Sequence, residues 1–241
     1  MKQHLSVWKL LIRSTVFRLA LCLGIMCAVE SGVFLWRAGS AASFEDAVGD
    51  GPAYAVFVAA YYCLFIVLET TLCRPNQLST LERLRISERR FLLLQAFHNT
   101  LCFLILWGAE VTLIFILSLW YRGAYPENAV SPWLLLAFYR NSFLHGLLPL
   151  STVSRWIVNL VYFTGSGILS ACAALKHRHG LRVMAPHAFM VVVGVTFRAE
   201  LLDPAEDIAR IFFALCLFSL SFVTAWEAAH TGVKLEANWY G

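Results

Sequence analysis

The sequence predicts an all-α integral membrane protein of about six transmembrane helices, both termini cytoplasmic, and three observations predict it. First, 59% of the 241 residues are hydrophobic and 14% are charged, giving a mean hydropathy of +0.68. A soluble domain of this size has no use for so much apolar surface. Second, the apolar residues fall in runs long enough to cross a bilayer, which takes about 20 residues, with short loops between them. Residues 1–241 are therefore read as one transmembrane domain with no separate soluble part. Third, Lys and Arg cluster beside apolar runs, where they set topology. A net charge of +4 in a soluble protein would suggest nucleic acid, and that reading is rejected here for the same reason.

Residues 1–15, MKQHLSVWKLLIRST, place Leu5, Trp8, Leu11 and Ile12 on one helical side and Lys2, Lys9 and Arg13 elsewhere. This predicts a helix lying at the cytoplasmic interface; a plain extension of the first span fits as well. A basic start before an apolar run imitates a signal peptide. The run around 17–35 is long, however, and no A-x-A-like site follows a short apolar region, so it is read as a retained span.

Span one covers 16–36, and the loop after it, 38–52, carries Glu45, Asp46 and Asp50 without Lys or Arg, so it belongs outside. Span two, 53–73, returns the chain to the cytoplasm at Arg74. Residues 74–90, RPNQLSTLERLRISERR, are strongly basic, with Arg74, Arg83, Arg85, Arg89 and Arg90 against Glu82 and Glu88. Within them Ser79-Thr80-Leu81-Glu82 has capping-box spacing, and Leu78, Leu81 and Leu84 recur every three residues. A short helix over 80–86 follows, apolar on one side and arginine-rich on the rest. Ser87 before Glu88 is a second helix start, since a serine cap and a first-turn carboxylate both favour a helix N-terminus.

Span three runs from 87 to about 121, longer than a bilayer core is thick, so its first turns protrude or tilt. After an external loop over 122–131, residues 132–150 are apolar but hold Arg140, Asn141 and His145 in their middle, a poor lipid-facing span. Reading this segment as re-entrant or interfacial keeps the basic run Lys176-His177-Arg178-His179 inside, and that is the reading chosen. Span four is then 156–175 and span five a short 183–197. An acidic external loop holds Glu200, Asp203, Glu206 and Asp207, and span six is 211–226.

Among residues able to carry chemistry, Gln95, Asn99 and Glu110 fall within a sector of roughly 60° at about 100° per residue. They form a polar stripe that either glues packed helices together or lines a substrate path or subunit face. Glu30 and Glu69 are read as lying near span ends, where snorkelling or interfacial solvation accounts for them. Gly165-Ser166-Gly167 is read as a small-residue packing site. The seven cysteines lie almost entirely within apolar runs without a C-x-x-C pair, and no H-E-x-x-H pattern occurs, so no metal site is expected. No nucleophile stands with a base at plausible spacing, so no catalytic residue is assigned. There is no P-loop motif, so the chain is not expected to hydrolyse ATP.

The stretch TLERLRISERRFLLLQAFHNTLCFLILWG, residues 80–108, resembles the segment after the second span in ABC-2-type transporter permeases, the membrane subunits of ABC exporters. It looks most like permease-like proteins of Gram-positive bacteria, where AFYRNSFLHGLLPLS is similar to the external segment after span three. The resemblance implies a coupling helix in which Thr80, Leu81, Arg83, Leu84, Arg85 and Glu88 meet an ABC-type ATP-binding subunit. ATP and Mg would sit in that subunit and none in this chain, a second permease copy or homologue would complete the pore, and the protein would lie in the plasma membrane. The chain departs from the family by placing its unusual segment after span three instead of before the last span. The rival reading is a membrane adaptor or sensor whose basic loop binds a partner protein or touches anionic lipid.

Overall fold

A computed structural model describes the backbone of residues 2–71, 87–127, 133–150, 153–178, 185–197 and 204–239. Those residues form nine helices and no strand. In chain order they are α1 (Lys2–Ala38), α2 (Phe44–Val48), α3 (Asp50–Glu69), α4 (Glu88–Ala124), α5 (Trp133–Arg140), α6 (Ser142–Leu147), α7 (Val153–Arg178), α8 (Ala185–Thr196) and α9 (Pro204–Trp239). Five of them, α1, α3, α4, α7 and α9, are long and apolar enough to cross a membrane. The protein is thus all-helical and of multi-pass membrane character.

Contacts between the long helices fix their directions. Thr15 meets His98 at 2.7 Å and Phe34 lies 6.2 Å from Tyr121, so α1 and α4 run parallel. Asn99 donates to Ser170 at 2.9 Å while Trp107 packs on Trp156 at 5.7 Å, so α7 runs against α4. Tyr162 reaches the Arg210 carbonyl at 3.5 Å and Lys176 pairs with Glu227 at 3.6 Å, which makes α9 parallel to α7. The return leg between α7 and α9 is α8. It lies antiparallel along α3, held by Tyr62 against His187 at 3.3 Å and by Tyr54 donating to the Gly194 carbonyl at 2.8 Å. Its 12 residues make about 18 Å of helix, shorter than a bilayer core, so the expected fifth span is not one of the five long helices. One end of the bundle collects the start of α1 and the ends of α3, α7 and the apolar part of α9. The other carries α2, α5 and α6.

Of the two readings of the N-terminal stretch, the first helix takes the plain extension of the first span: α1 is unbroken from Lys2 to Ala38, 37 residues or about 55 Å. The apolar side chains Val7 and Leu11 are fully used, packing on Phe91 of α4. No Gly or Pro interrupts 2–23, so nothing in the chain would turn a lateral helix into a span.

Residues 133–150 hold two short helices meeting at Asn141, which caps α6 by accepting from the Leu144 amide at 2.9 Å. The polar residues that spoil a lipid-facing span each have a local task. Arg140 pairs with Glu45 at 3.2 Å, His145 meets the Phe138 carbonyl at 3.1 Å, and Asn159 donates to the Gly146 carbonyl at 3.0 Å. The α6 end is tied inward by Trp107, which donates to the Leu147 carbonyl at 2.9 Å.

The centre is α7, 72% of whose most apolar 18-residue window is buried, against 17% for α1. Small residues explain it: Gly165, Ser166, Gly167, Ser170, Ala171, Ala173 and Ala174 let neighbours approach the α7 backbone. A methyl group on Gly167 would stand 2.6 Å from the Thr100 amide nitrogen of α4, and one on Gly165 would stand 3.0 Å from Leu217 of α9. Around this crossing an aromatic layer closes, with Tyr61 4.7 Å from Phe103 and Phe57 5.1 Å from Phe197. Outward, Phe17, Leu21, Ile25, Leu93, Leu119 and Phe212 are exposed, as lipid-facing side chains are.

Gly167→Ala is expected to lower stability by about 1–3 kcal/mol, because the clash is with backbone that cannot swing away. Gly108→Ala, with nothing within 4 Å, is expected to be neutral or slightly stabilising. Thermal unfolding of the purified protein in mild detergent reads both, and equal melting points would contradict the tight crossing.

Candidate functional site

The third spanning helix begins where the serine–glutamate signal places it. Ser87 is the N-cap in extended conformation, without a side-chain cap bond, and Glu88 is the first helical residue. From there α4 buries three polar residues expected on one stripe: Gln95 at 1% exposure, Asn99 at 2% and Glu110 at 0%. Their neighbours differ. Asn99 faces α7 and spends its amide on Ser170, whose hydroxyl in turn donates to the Gly167 carbonyl at 2.9 Å. Glu110 lies about 16 Å further along the axis and faces α1. The stripe therefore divides into a packing contact and a separate acidic site.

That site is Glu110 with Glu30. The two carboxyl groups lie against each other across the α1–α4 seam, and Glu30 is 3% exposed. Among the described residues no donor reaches any of the four oxygens. The expectation that Glu30 sits at a span end and snorkels is thus corrected. It lies eight residues inside the α1 terminus, about 12 Å, too far for its short side chain to reach the surface. Two features of the sequence could have indicated this: the apolar run continues past Glu30 to Trp36, and Glu110 also stands mid-span. A small cavity of about 10 Å³, room for roughly one water, borders Glu30 between α1, α2 and α3.

Glu69 does lie at a span end, at the opposite side of the bundle, but its carboxylate is held by histidines. As the last residue of α3 it receives His187 Nε2 at 3.1 Å, with His177 Nδ1 at 3.9 Å from its other oxygen. Tyr62 Oη stands 3.3 Å from His187 Nδ1, so the imidazole bridges the tyrosine and the carboxylate. This knot ties α3, α7 and α8. Among the described residues no group of three or more His, Cys, Asp and Glu is arranged to hold an ion. Nearby, Arg178 covers the Phe91 ring at 4.6 Å, joining α7 to α4.

Of the residues expected to meet a partner, Glu88 is in the structure, while Thr80, Leu81, Arg83, Leu84 and Arg85 lie outside the described residues. Glu69 and Glu88 bracket that stretch. No family model, curated protein or solved structure matches the chain. What the fold and site define is therefore a class: an all-helical multi-pass membrane protein with a buried carboxyl pair.

The Asn99–Ser170 bond is expected to show a coupling energy of about 0.5–1.5 kcal/mol in a double-mutant cycle of Asn99→Ala and Ser170→Ala. Unfolding in mild detergent measures it; strict additivity would mean that Asn99 does not serve α4–α7 packing.

Proposed function

We propose that this chain is the membrane-spanning permease subunit of an ATP-driven ABC exporter, working with a separate ATP-binding subunit and a second permease copy or homologue. The observation that carries the reading is α4. It is one unbroken helix of 37 residues, starting at Glu88 within the last turn of the basic stretch 74–90 that resembles a coupling helix. At about 55 Å it is much longer than the bilayer core, so a push on its outer turns is carried into the membrane without a hinge to absorb it. The arginines of the stretch would draw it to an acidic cleft on the ATP-binding partner.

Charge supports the accompanying topology. Lys9, Arg13, Arg18, Arg89, Arg90, Lys176 and Arg178 gather at the end shared by the start of α1 and the end of α7, while the opposite end mixes Arg37, Arg122, Arg140, Arg155 and Arg210 with Glu45, Asp46 and Asp50. Under the positive-inside bias the first end is cytoplasmic, with both termini there, in the plasma membrane. One observation favours an adaptor or sensor instead: Asn99, part of the expected substrate-lining stripe, is consumed by a helix-packing bond. Solute stimulation of the partner's ATPase separates transport from adaptation.

The test is a pull-down from native membranes of wild type against Leu81→Asp/Leu84→Asp, scored for a P-loop ATPase and for an unchanged gel-filtration profile. The ATPase is expected with wild type and lost from the variant. Its absence from both well-folded preparations would remove the exporter reading.

A further inference from the structure

We propose that Glu30 and Glu110 form a proton-binding site inside the membrane-spanning bundle, reached from the α2 end through the small cavity beside Glu30. The inference stands apart from the exporter reading, because it needs no partner subunit.

Geometry carries it. Both side chains are essentially inaccessible, at 3% and 0% exposure, and they face each other with no donor on any oxygen among the described residues. Two ionised carboxylates so placed would repel each other in an apolar medium with nothing to offset either charge. A shared proton resolves both problems, since a carboxylic acid O–H on one side becomes the donor that the other side lacks. The cavity wall beside Glu30 is apolar: Phe34 of α1, Val48 of α2, Pro52 and Val56 of α3 and Leu117 of α4. The thiol of Cys27, one turn before Glu30, is the further titratable group within electrostatic range. A dehydrated metal ion would need more oxygen ligands than two carboxyls supply, and no metal-binding group is present among the described residues.

The cavity offers access from the α2 end. The cavity touches Glu30 and opens among α1, α2 and the first turns of α3, the elements that form one end of the bundle. Toward the other end, Met26, Leu64, Phe103 and Leu106 are buried in the continuous apolar core. The exchange is balanced: a proton from water at the α2 end adds to a carboxylate oxygen, and the same proton returns by the same route. Because the pair spans the α1–α4 seam, each exchange changes the charge held between two helices packed along most of their length. Proton occupancy therefore biases how closely α1 and α4 are held.

The experiment uses the full chain in lipid nanodiscs, with dicyclohexylcarbodiimide as probe of protonated carboxyls in apolar surroundings and peptide mapping by mass spectrometry. Wild type is expected to be labelled on Glu30 or Glu110, with labelling falling severalfold as the pH is raised from mildly acidic to mildly alkaline. Glu30→Gln/Glu110→Gln is expected to lose the label. Should that variant fail to fold, Glu30→Gln and Glu110→Gln singly must confine the label to the peptide with the remaining carboxyl. No label at either residue at any pH, or a label unchanged across that range, would overturn the proposal. So would protection by sodium but not by choline, which would make the pair a sodium site.

Discussion

The close crossing of α4 and α7 at Gly167 is the contact on which the rest of the bundle depends. In lipid there is little hydrophobic drive for apolar helices to associate, so packing must come from close backbone approach and from polar bonds between helices. α7 supplies both in one stretch: Gly165 and Gly167 open the surface, while Ser166 and Ser170 receive Tyr61 and Asn99. With α4 and α9 seated on either side, the aromatic layer of Phe57, Tyr61, Phe103 and Phe163 has a floor to pack on. The remaining helices can then leave one side to lipid.

The polar residues within the apolar helices sort by what they do with their hydrogen-bonding groups. Asn99, Asn159, Ser166, Ser170 and Ser221 are consumed by helix packing and by backbone carbonyls. Asn141 and Arg140 shape and tether the broken segment between α4 and α7. Glu69 is answered by histidines at the end of α3. Glu30 and Glu110 fit none of these, because each can satisfy the other only when a proton is present. A buried polar residue is ordinary; one whose partner has the same charge is a reason to look for a ligand.

Much of this was legible in the sequence. The all-helical membrane class follows from composition and run length alone. Ser87 and Glu88 marked the start of α4 correctly, although the Ser87 side chain makes no cap bond, and Gly165-Ser166-Gly167 pointed to packing because small residues permit little else. The broken segment was visible as Arg140, Asn141 and His145 in an apolar run, although their individual partners were not. What the sequence hid depends on pairing between distant helices. Glu30 reads as peripheral until α4 brings Glu110 beside it, and residues 1–15 fit a lateral helix as well as an extension of the first span until Phe91 supplies a surface for Val7 and Leu11. The shortness of α8 was foreseeable from its flanking loops, whereas its position along α3 was not.

The unbroken lengths of α1 and α4 have a mechanical consequence. Two parallel rods of 37 residues are pinned to each other at three heights: Val7 and Leu11 on Phe91, Glu30 on Glu110, and Phe34 on Tyr121. Twisting one rod would shear all three pins at once, whereas tilting both together disturbs none. The pair therefore behaves as a stiff beam, and a tilt of about 10° moves its far end by about 10 Å. Motion begun at either membrane surface would reach the other as a change of angle shared by both helices.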